Sequence, residues 1–293
     1  MKIKKLFDDM WTSYAKLNPQ VVKVRDLMEN HEGSPVKNDH IAIRTFSHPK
    51  VNRHVLAKSF LDSGYKKVED LVFDKKKLDA TYYLHDDEDL TRVFISELRL
   101  EDFSEGLQKV VNDLVDQIPD NANEQFDFCN SGTPWNMITK ETYDILKEES
   151  EYAAWVATFG FIVNHFTISV TECDSFDNLE QVNSYLKKNG YRINDSGGEI
   201  KGSADQGLEQ SSIMAEDVNI DFSTSTSKIP GCYYEFALRH NEFDGFIASS
   251  ADKIFESTDN KLNTSIEDHF HPDGSLNILD HSKITKEDYD NHW

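Results

Sequence analysis

The sequence predicts an α+β fold in which two copies of a βαβββ module are paired and additional helices surround them. The main observation is an internal repeat, in which three pairs of motifs recur at an offset of 125 or 126 residues: His40-Ile41 with His165-Phe166, Ser59-Phe60-Leu61 with Ser184-Tyr185-Leu186, and Gly64-Tyr65-Lys66 with Gly190-Tyr191-Arg192. The second observation is the order of elements in the first copy, which is strand, helix, strand, strand, strand. Because the offset between the copies changes by only one residue, we expect the same order in the second copy.

The segment before the first module is predicted to be helical. In residues 3–30, apolar side chains recur at helical intervals until Asn18-Pro19 interrupts the pattern, which indicates two helices. The polar turn Glu32-Gly33-Ser34-Pro35 ends this segment. We therefore expect residues 1–37 to form a helical cover.

The first module is predicted over residues 38–100. It begins with a strand at residues 40–46, which are apolar and rich in β-branched side chains. A helix-like stretch runs from Val55 to Leu61 and stops at Gly64. Three further runs have strand patterns, and they cover residues 65–73, 80–84 and 91–98.

The remaining chain is divided by the repeat. A mostly helical connector is predicted over residues 101–160, and the second module over residues 161–262. Residues 1–262 are thus expected to form a single domain. Residues 263–293 are expected to be a polar C-terminal extension without a role in the core.

The composition restricts the partners and the location of the protein. The 53 acidic and 31 basic residues give a net charge of −22, so the average surface should repel nucleic acid and anionic lipid. No apolar stretch approaches the roughly 20 residues that cross a bilayer, and charged residues interrupt the N-terminus before a signal segment could form. The three cysteines are scattered and contain no C-x-x-C pair, which favours a reducing, cytoplasmic location. The composition does not indicate the oligomeric state.

Two histidines and one glutamate are the best candidates for a metal site. His40 and His165 occupy equivalent repeat positions at the start of apolar strands, so pairing of the modules could bring them together. Glu235 lies in the apolar run Tyr233-Tyr234-Glu235-Phe236-Ala237, where an ionised carboxylate is costly to bury without a metal or another partner. Two imidazoles and a carboxylate are the ligands of many oxygen-activating Fe(II) enzymes, although the same set also suits manganese or zinc.

Each of these residues also has an ordinary structural interpretation. A single histidine beside an apolar strand is usually a hydrogen-bonded core or surface residue. Glu235 could be a solvated edge residue or the salt-bridge partner of Arg239. We interpret Glu97 as the repeat counterpart of Glu235, which makes it a candidate for a fourth ligand or for a structural carboxylate.

Arg44 is the candidate for binding an anionic substrate. It lies four residues after His40, so along a strand both side chains point to the same face, with Cα atoms about 13 Å apart. A guanidinium can bind a carboxylate through two hydrogen bonds and would offset the negative field of the chain. The alternative is an ordinary salt bridge.

Six motifs occur in a fixed order over residues 38–260: Asp39-His40-Ile41-Ala42-Ile43-Arg44-Thr45-Phe46, Val163-Asn164-His165-Phe166-Thr167, Gln210-Ser211-Ser212-Ile213-Met214-Ala215, Pro230-Gly231-Cys232-Tyr233-Tyr234-Glu235-Phe236-Ala237, Gly245-Phe246, and Ser250-Ala251-Asp252-Lys253-Ile254-Phe255-Glu256-Ser257-Thr258-Asp259. In this order they resemble the family of 2-oxoadipate dioxygenase/decarboxylases, which are relatives of the vicinal oxygen chelate superfamily.

The resemblance implies a curved sheet of paired βαβββ modules around a metal site. It implies Fe(II) as the cofactor, held at the positions of His40, His165 and Glu235, and Arg44 as a catalytic residue that contacts the substrate. Ser250 is a further candidate for a substrate hydrogen bond. The family converts 2-oxoadipate, a 2-oxo dicarboxylic acid, and O2 to 2-hydroxyglutarate and CO2, a step of lysine catabolism.

One departure from the family pattern leaves the substrate open. Only nine residues, Phe236 to Asp244, separate Glu235 from Gly245, whereas some members carry a long insertion there that could alter a lid. Two other functions also remain: a metal-dependent isomerase or lyase of the same fold, which coordination by Glu97 would favour, and a non-catalytic module that binds small ligands.

Overall fold

A curved sheet forms the centre of the protein, whose computed structural model describes residues 2–258. Within this range the strands are β1 (Asn38–Phe46), β2 (Lys66–Phe73), β3 (Leu78–Leu84), β4 (Arg92–Leu98), β5 (Val163–Ser169), β6 (Lys201–Ser203), β7 (Leu208–Ser212), β8 (Asp217–Asp221), β9 (Thr226–Pro230) and β10 (Tyr233–Arg239). The helices of the same range are α1 (Lys2–Leu17), α2 (Pro19–Glu32), α3 (Arg53–Leu56), α4 (Lys58–Leu61), α5 (Glu105–Val115), α6 (Lys140–Glu149), α7 (Glu151–Phe159), α8 (Leu179–Lys188) and α9 (Ala248–Ile254).

The strand order shows that the sheet consists of two equivalent halves. Eight strands are hydrogen-bonded in the order β2-β3-β4-β1-β5-β10-β7-β6. In the first half β1 is parallel to β4, in the second half β5 is parallel to β10, and the antiparallel pair of β1 and β5 joins the halves. Helices α3 and α4 follow the first strand of one half, and α8 follows the first strand of the other. The predicted fold class of paired βαβββ modules with added helices is confirmed.

The central strands are covered on both faces, which places the site. All residues of β5 and all but the first residue of β1 are buried. On one face, Trp11 of α1 contacts the rings of Phe166 and Tyr234, with centroids 5.2 and 6.1 Å away. Because successive strand residues face opposite sides, His165 and Glu235, their sequence neighbours, point to the other face. That second face is where polar side chains from the central strands meet.

Two parts of the fold differ from the prediction. The helix predicted from Val55 to Leu61 is two short helices, α3 and α4, because the helical hydrogen bonding is interrupted at Ala57. The hairpin of β8 and β9 is inserted between the third and fourth strands of the second module. The repeat could not predict this hairpin, because in the first module only residues 85–91 connect the corresponding strands.

The connector between the modules ends in a buried helix. The apolar run at residues 153–157 belongs to α7, in which all but two residues are buried. A helix that is apolar on nearly all sides packs inside a protein, and α7 packs against β1. None of the helices in residues 2–258 is long and apolar enough to cross a membrane. The predicted C-terminal extension, residues 263–293, lies outside the described residues.

Candidate metal centre

Three side chains that can bind a metal meet on the polar face of the sheet. His40, His165 and Glu235 come from β1, β5 and β10, which are neighbouring strands. His40 and Glu235 lie on either side of Thr167, which is on the strand between them. His165 is on the same strand as Thr167, two residues before it, and lies opposite Ala42. Each of the three offers a ligand atom, these atoms lie within 4.8 Å of one another, and the exposed fractions of the residues are 2%, 5% and 0%. The structure therefore brings together the three residues that the sequence selected.

The carboxylate of Glu235 lacks the partners that a buried anion needs. Its Oε2 lies 3.0 Å from His165 Nε2, and its Oε1 lies 3.6 Å from His40 Nε2. Oε1 accepts a hydrogen bond from Gln210 Nε2 at 2.6 Å, whereas Oε2 accepts none of normal geometry from the described residues. Burying a carboxylate in this way is costly unless a cation is present. The donor set of two imidazoles and one carboxylate fits a divalent metal ion.

The electrostatics of the cluster keep the carboxylate ionised. Burial by itself raises the pKa of Glu235, but the imidazoles of His40 and His165 lower it to about 2. Burial also lowers the pKa of both histidines. At His40, the carboxylates of Glu235 and Asp39 outweigh burial and raise the pKa, whereas the pKa of His165 stays lowered. A metal must displace the proton that His40 takes up, so protons compete with metal binding as the pH falls.

The second nitrogen of each imidazole is held by the residue before it in the chain. His40 Nδ1 lies 2.8 Å from Asp39 Oδ2, and His165 Nδ1 lies 3.2 Å from Asn164 Oδ1. Because these oxygens accept a hydrogen bond from Nδ1, the Nε2 atoms are left as the ligand atoms. In each module an oxygen-bearing residue followed by histidine thus orients the imidazole towards the centre.

Asp39 is itself fixed by two arginines. Arg239 Nε lies 2.7 Å from Asp39 Oδ1, and Arg239 Nη2 lies 2.9 Å from Oδ2. Arg92 Nη1 adds a contact of 3.3 Å to Oδ1. Burial by itself raises the pKa of Asp39, but the hydrogen bond from His40 and the charge of Arg239 hold the pKa well below its usual range. Arg239 is therefore the partner of Asp39, and the proposed salt bridge of Arg239 with Glu235 is not formed.

Asp39→Asn should weaken metal binding roughly 10- to 100-fold, because asparagine keeps the shape but removes the charge that supports the His40 imidazole. Competition with a chelator, measured on the anaerobic protein with Fe(II), gives the dissociation constant. Asp144→Asn, on the exposed side of α6, is the matched control and should leave the constant unchanged. Equal metal affinity in both variants would contradict the supporting role of Asp39.

Arg44 is a buried guanidinium without an acidic partner in residues 2–258. It lies over the rings of Tyr152, Trp155 and Phe255 at 5.1, 5.2 and 5.7 Å from their centroids. Its Nη1 donates to Thr258 Oγ1 at 3.4 Å, and its buried Nε has no hydrogen-bond partner. The alternative of an ordinary salt bridge thus has no support in the described part of the chain. The role of Arg44 in substrate binding stays a prediction.

Ser250 lies on α9 and is buried, but it packs towards β6. Its Oγ has no hydrogen-bond partner among the described residues and lies close to Gly202, 3.2 Å from where a Cβ at that glycine would be. The side chains that α9 contributes to the wall of the candidate site are Ala251 and Ile254. The role of Ser250 in substrate binding stays a prediction.

Glu97 is not the structural counterpart of Glu235. In the second module Glu235 lies opposite Thr167, which is two residues after His165. In the first module the residue two after His40 is Ala42, and Phe94 lies opposite it. Phe94 therefore occupies the position equivalent to Glu235. Glu97 is three residues farther along β4 and therefore faces the other side of the sheet. There it forms an ion pair with the Arg53 side chain and accepts a hydrogen bond from the Arg53 backbone nitrogen. The interpretation of Glu97 as the repeat counterpart of Glu235 is wrong.

The candidate site opens into a small cavity. The three metal-ligand candidates form part of its wall. The other walls are Gln210 and a set of apolar, mainly aromatic side chains: Phe94, Phe246, Ala251, Ile254 and Phe255. Gln210 lies in one of the recognised motifs, but its hydrogen bond to Glu235 arises from the pairing of β7 with β10 and could not be predicted from the sequence.

The chain matches the model of the 2-oxoadipate dioxygenase/decarboxylase family over residues 5–242. It is 33% identical over 285 residues to the chloroplastic 2-oxoadipate dioxygenase/decarboxylase of Arabidopsis thaliana, a match that covers 87% of this chain and 77% of the relative. The strands of both modules lie within the residues that the family model matches.

Two crystal structures show the same architecture. The hydroxyglutarate synthase of Oryza sativa, in complex with 2-oxoadipate, is 30% identical, with a TM-score of 0.81 and coverage of 88% of this chain and 92% of the other. A Shewanella frigidimarina protein named as a hydrolase is 43% identical, with a TM-score of 0.79 and coverage of 84% and 98%.

Proposed function

Because the chain belongs to the 2-oxoadipate dioxygenase/decarboxylase family of enzymes, we propose that it uses Fe(II) and O2 to convert 2-oxoadipate to 2-hydroxyglutarate and CO2. The family predicted from the motifs is confirmed, as is the prediction that the chain is an enzyme of that family. The observation that carries the proposal is the buried cluster of His40, His165 and Glu235 at the junction of the two modules. Two imidazoles and a carboxylate, with room beside them, are typical of Fe(II) enzymes that activate dioxygen.

The residues around the cluster have clear tasks in this proposal. When bound, Fe(II) supplies the redox chemistry that lets O2 react with a 2-oxo acid. Asp39 and Asn164 hold the imidazoles in the orientation that binds metal, and Gln210 holds Glu235. The apolar walls formed by Phe94 and the residues near it keep bulk water away from the reacting groups.

The charge distribution supports an anionic substrate. The chain has a net charge of −22, so a dicarboxylate needs a local cation to bind. Arg44 is buried on the same face as His40 and has no acidic partner within residues 2–258. A guanidinium in such surroundings forms strong bidentate hydrogen bonds with a carboxylate. The rice relative, with 2-oxoadipate bound, makes this 2-oxo acid the first one to test.

Reconstitution with Fe(II) under anaerobic conditions, followed by addition of 2-oxoadipate and a known amount of O2, should give one 2-hydroxyglutarate and one CO2 for each O2 consumed. The protein loaded with zinc is the control, and it should show no O2 uptake because zinc has no redox chemistry. Turnover in the absence of O2 would overturn the proposal in favour of isomerase, lyase or hydrolytic chemistry. No turnover with Fe(II), manganese or zinc would overturn it in favour of a binding module.

A further inference from the structure

Tyr233 is a buried residue beside the candidate metal ligands that has no task in the proposed function so far. It lies two residues before Glu235 on β10, so both side chains point to the same face. Its ring stacks on that of His165, with centroids 4.5 Å apart and an interplanar angle of 27°. Tyr233, His165 and Ala42 lie side by side on the neighbouring strands β10, β5 and β1. Along β1, Ala42 lies between His40 and Arg44. Tyr233 therefore lies on the side of the metal cluster that faces Arg44.

The hydroxyl of Tyr233 is unpaired although the residue is fully buried. Its oxygen has no hydrogen-bond partner among residues 2–258, and the same holds for the Nε of Arg44. Burial raises the pKa of Tyr233. The Arg44 side chain lies within interaction range of this hydroxyl, where its charge and a hydrogen bond act to lower that pKa, but the contact does not have normal hydrogen-bond geometry. Buried polar groups are almost always paired in good geometry, so a buried hydroxyl and a buried guanidinium Nε that both lack such a partner indicate the place of an anionic ligand.

We propose that the Tyr233 hydroxyl and the Arg44 guanidinium together bind the substrate carboxylate that is remote from the metal, so that Tyr233 selects 2-oxo acids with a second carboxylate. The inference rests on the proposed function, in which the 2-oxo acid end of the substrate occupies the metal cluster. A hydroxyl beside a guanidinium can only accept from it, so its own proton is free to be donated to a carboxylate oxygen. The carboxylate would thus gain a charge-assisted hydrogen bond from each residue.

The position of the pair relative to the cavity is consistent with this role. Phe255 lines the cavity and also contacts the Arg44 guanidinium, while His165 lines the cavity and stacks on Tyr233. Both donors therefore contact residues of the cavity wall, and a bound carboxylate must displace the Phe255 ring to reach them. A substrate without the second carboxylate would leave both donors unpaired, which lowers its affinity.

Tyr234 provides a matched control for this inference. Like Tyr233 it is fully buried and its hydroxyl has no partner in the described chain. Its side chain points to the opposite face of β10, where it contacts Trp11 and Tyr14 of α1. Tyr233→Phe and Tyr234→Phe thus remove the same atom from adjacent residues of one strand, once on the side of the site and once on the side of the helices.

The test measures binding without O2, so that it does not depend on turnover. Dissociation constants of 2-oxoadipate and of 2-oxohexanoate, which lacks the second carboxylate, are determined by calorimetry on the anaerobic Fe(II) protein. Tyr233→Phe should weaken binding of 2-oxoadipate roughly 10- to 100-fold, as expected for a hydrogen bond to a charged group. Binding of 2-oxohexanoate and the iron content should not change. Tyr234→Phe should match the unmodified protein in all three measurements.

Three results would overturn the inference. The unmodified protein could bind both ligands equally well, Tyr233→Phe could behave like Tyr234→Phe, or Tyr233→Phe could weaken both ligands equally. The last result would show that Tyr233 supports the His165 ring and does not bind the remote carboxylate. Failure of the proposed function would be seen separately. In that case the unmodified protein would distinguish the two ligands in the binding measurement but would not consume O2.

Discussion

Replacing Glu235 with glutamine should remove Fe(II) binding and lower the turnover of 2-oxoadipate by about 1000-fold or more, which corresponds to ~4 kcal/mol of transition-state stabilisation. The side chain keeps its shape, but it loses the negative charge that balances a divalent ion between His40 and His165. A neutral amide is also a poorer ligand than a carboxylate for such an ion.

Iron content after desalting and the effect of Fe(II) on the melting temperature measure this prediction. A ligand that binds only the folded state raises the melting temperature, so Fe(II) should stabilise the unmodified protein and leave Glu235→Gln unaffected. Glu97→Gln is the matched control, because Glu97 is a buried glutamate on the other face of the same sheet. It should keep its iron even if loss of the Arg53 ion pair lowers its stability. Retention of iron by Glu235→Gln would refute the assignment of the centre.

The internal repeat allowed the pairing of the two histidines to be predicted. His40 and His165 occupy equivalent positions in β1 and β5, the first strands of the two halves. The two histidines come close because the halves pair through these strands. Glu235 could be selected because a lone carboxylate in an apolar run needs a partner. These inferences depend on local pattern and symmetry, which the sequence contains.

The identity of the counterpart of Glu235 could not be predicted, because it depends on strand register. An offset of three residues between Phe94 and Glu97 moves a side chain to the other face of the sheet. The same limit applies to Gln210 and Arg239. Gln210 contacts Glu235 because β7 pairs with β10. Arg239 contacts Asp39 although the two residues are 200 positions apart in the chain. No local sequence pattern indicates either contact.

The fold of the second module also contains a part that symmetry cannot predict. The hairpin of β8 and β9 has no counterpart in the first module, and its residues alternate between exposed and partly buried positions with few that are buried. An alternating pattern is typical of a half-buried strand, but the repeat provides no position for such strands in the module. Duplication therefore predicts what both copies retain, whereas insertions and the network of charged side chains differ between the copies.

Arg44→Ala should lower kcat/KM for 2-oxoadipate by roughly 30-fold to a few thousand-fold, because removing one partner of a buried charge pair costs about 2–5 kcal/mol. The iron content should stay the same, since Arg44 is not part of the group of ligand atoms. Arg44→Lys should recover only part of the activity, because an ammonium group keeps the charge but loses the planar pair of donors. Steady-state kinetics and metal analysis of the same samples separate the two effects.

The matched control for this prediction is Arg25→Ala. Arg25 also packs on an aromatic ring, with its guanidinium 4.6 Å from the Trp11 centroid, and it pairs with Glu29 on α2. It should leave kcat/KM unchanged, which shows that removal of an arginine from an aromatic contact does not by itself impair the enzyme. If Arg44→Ala lost iron and activity to the same extent, Arg44 would be a structural residue of the core. A selective loss of substrate use would instead identify it as the cation that lets so acidic a protein bind a dianion.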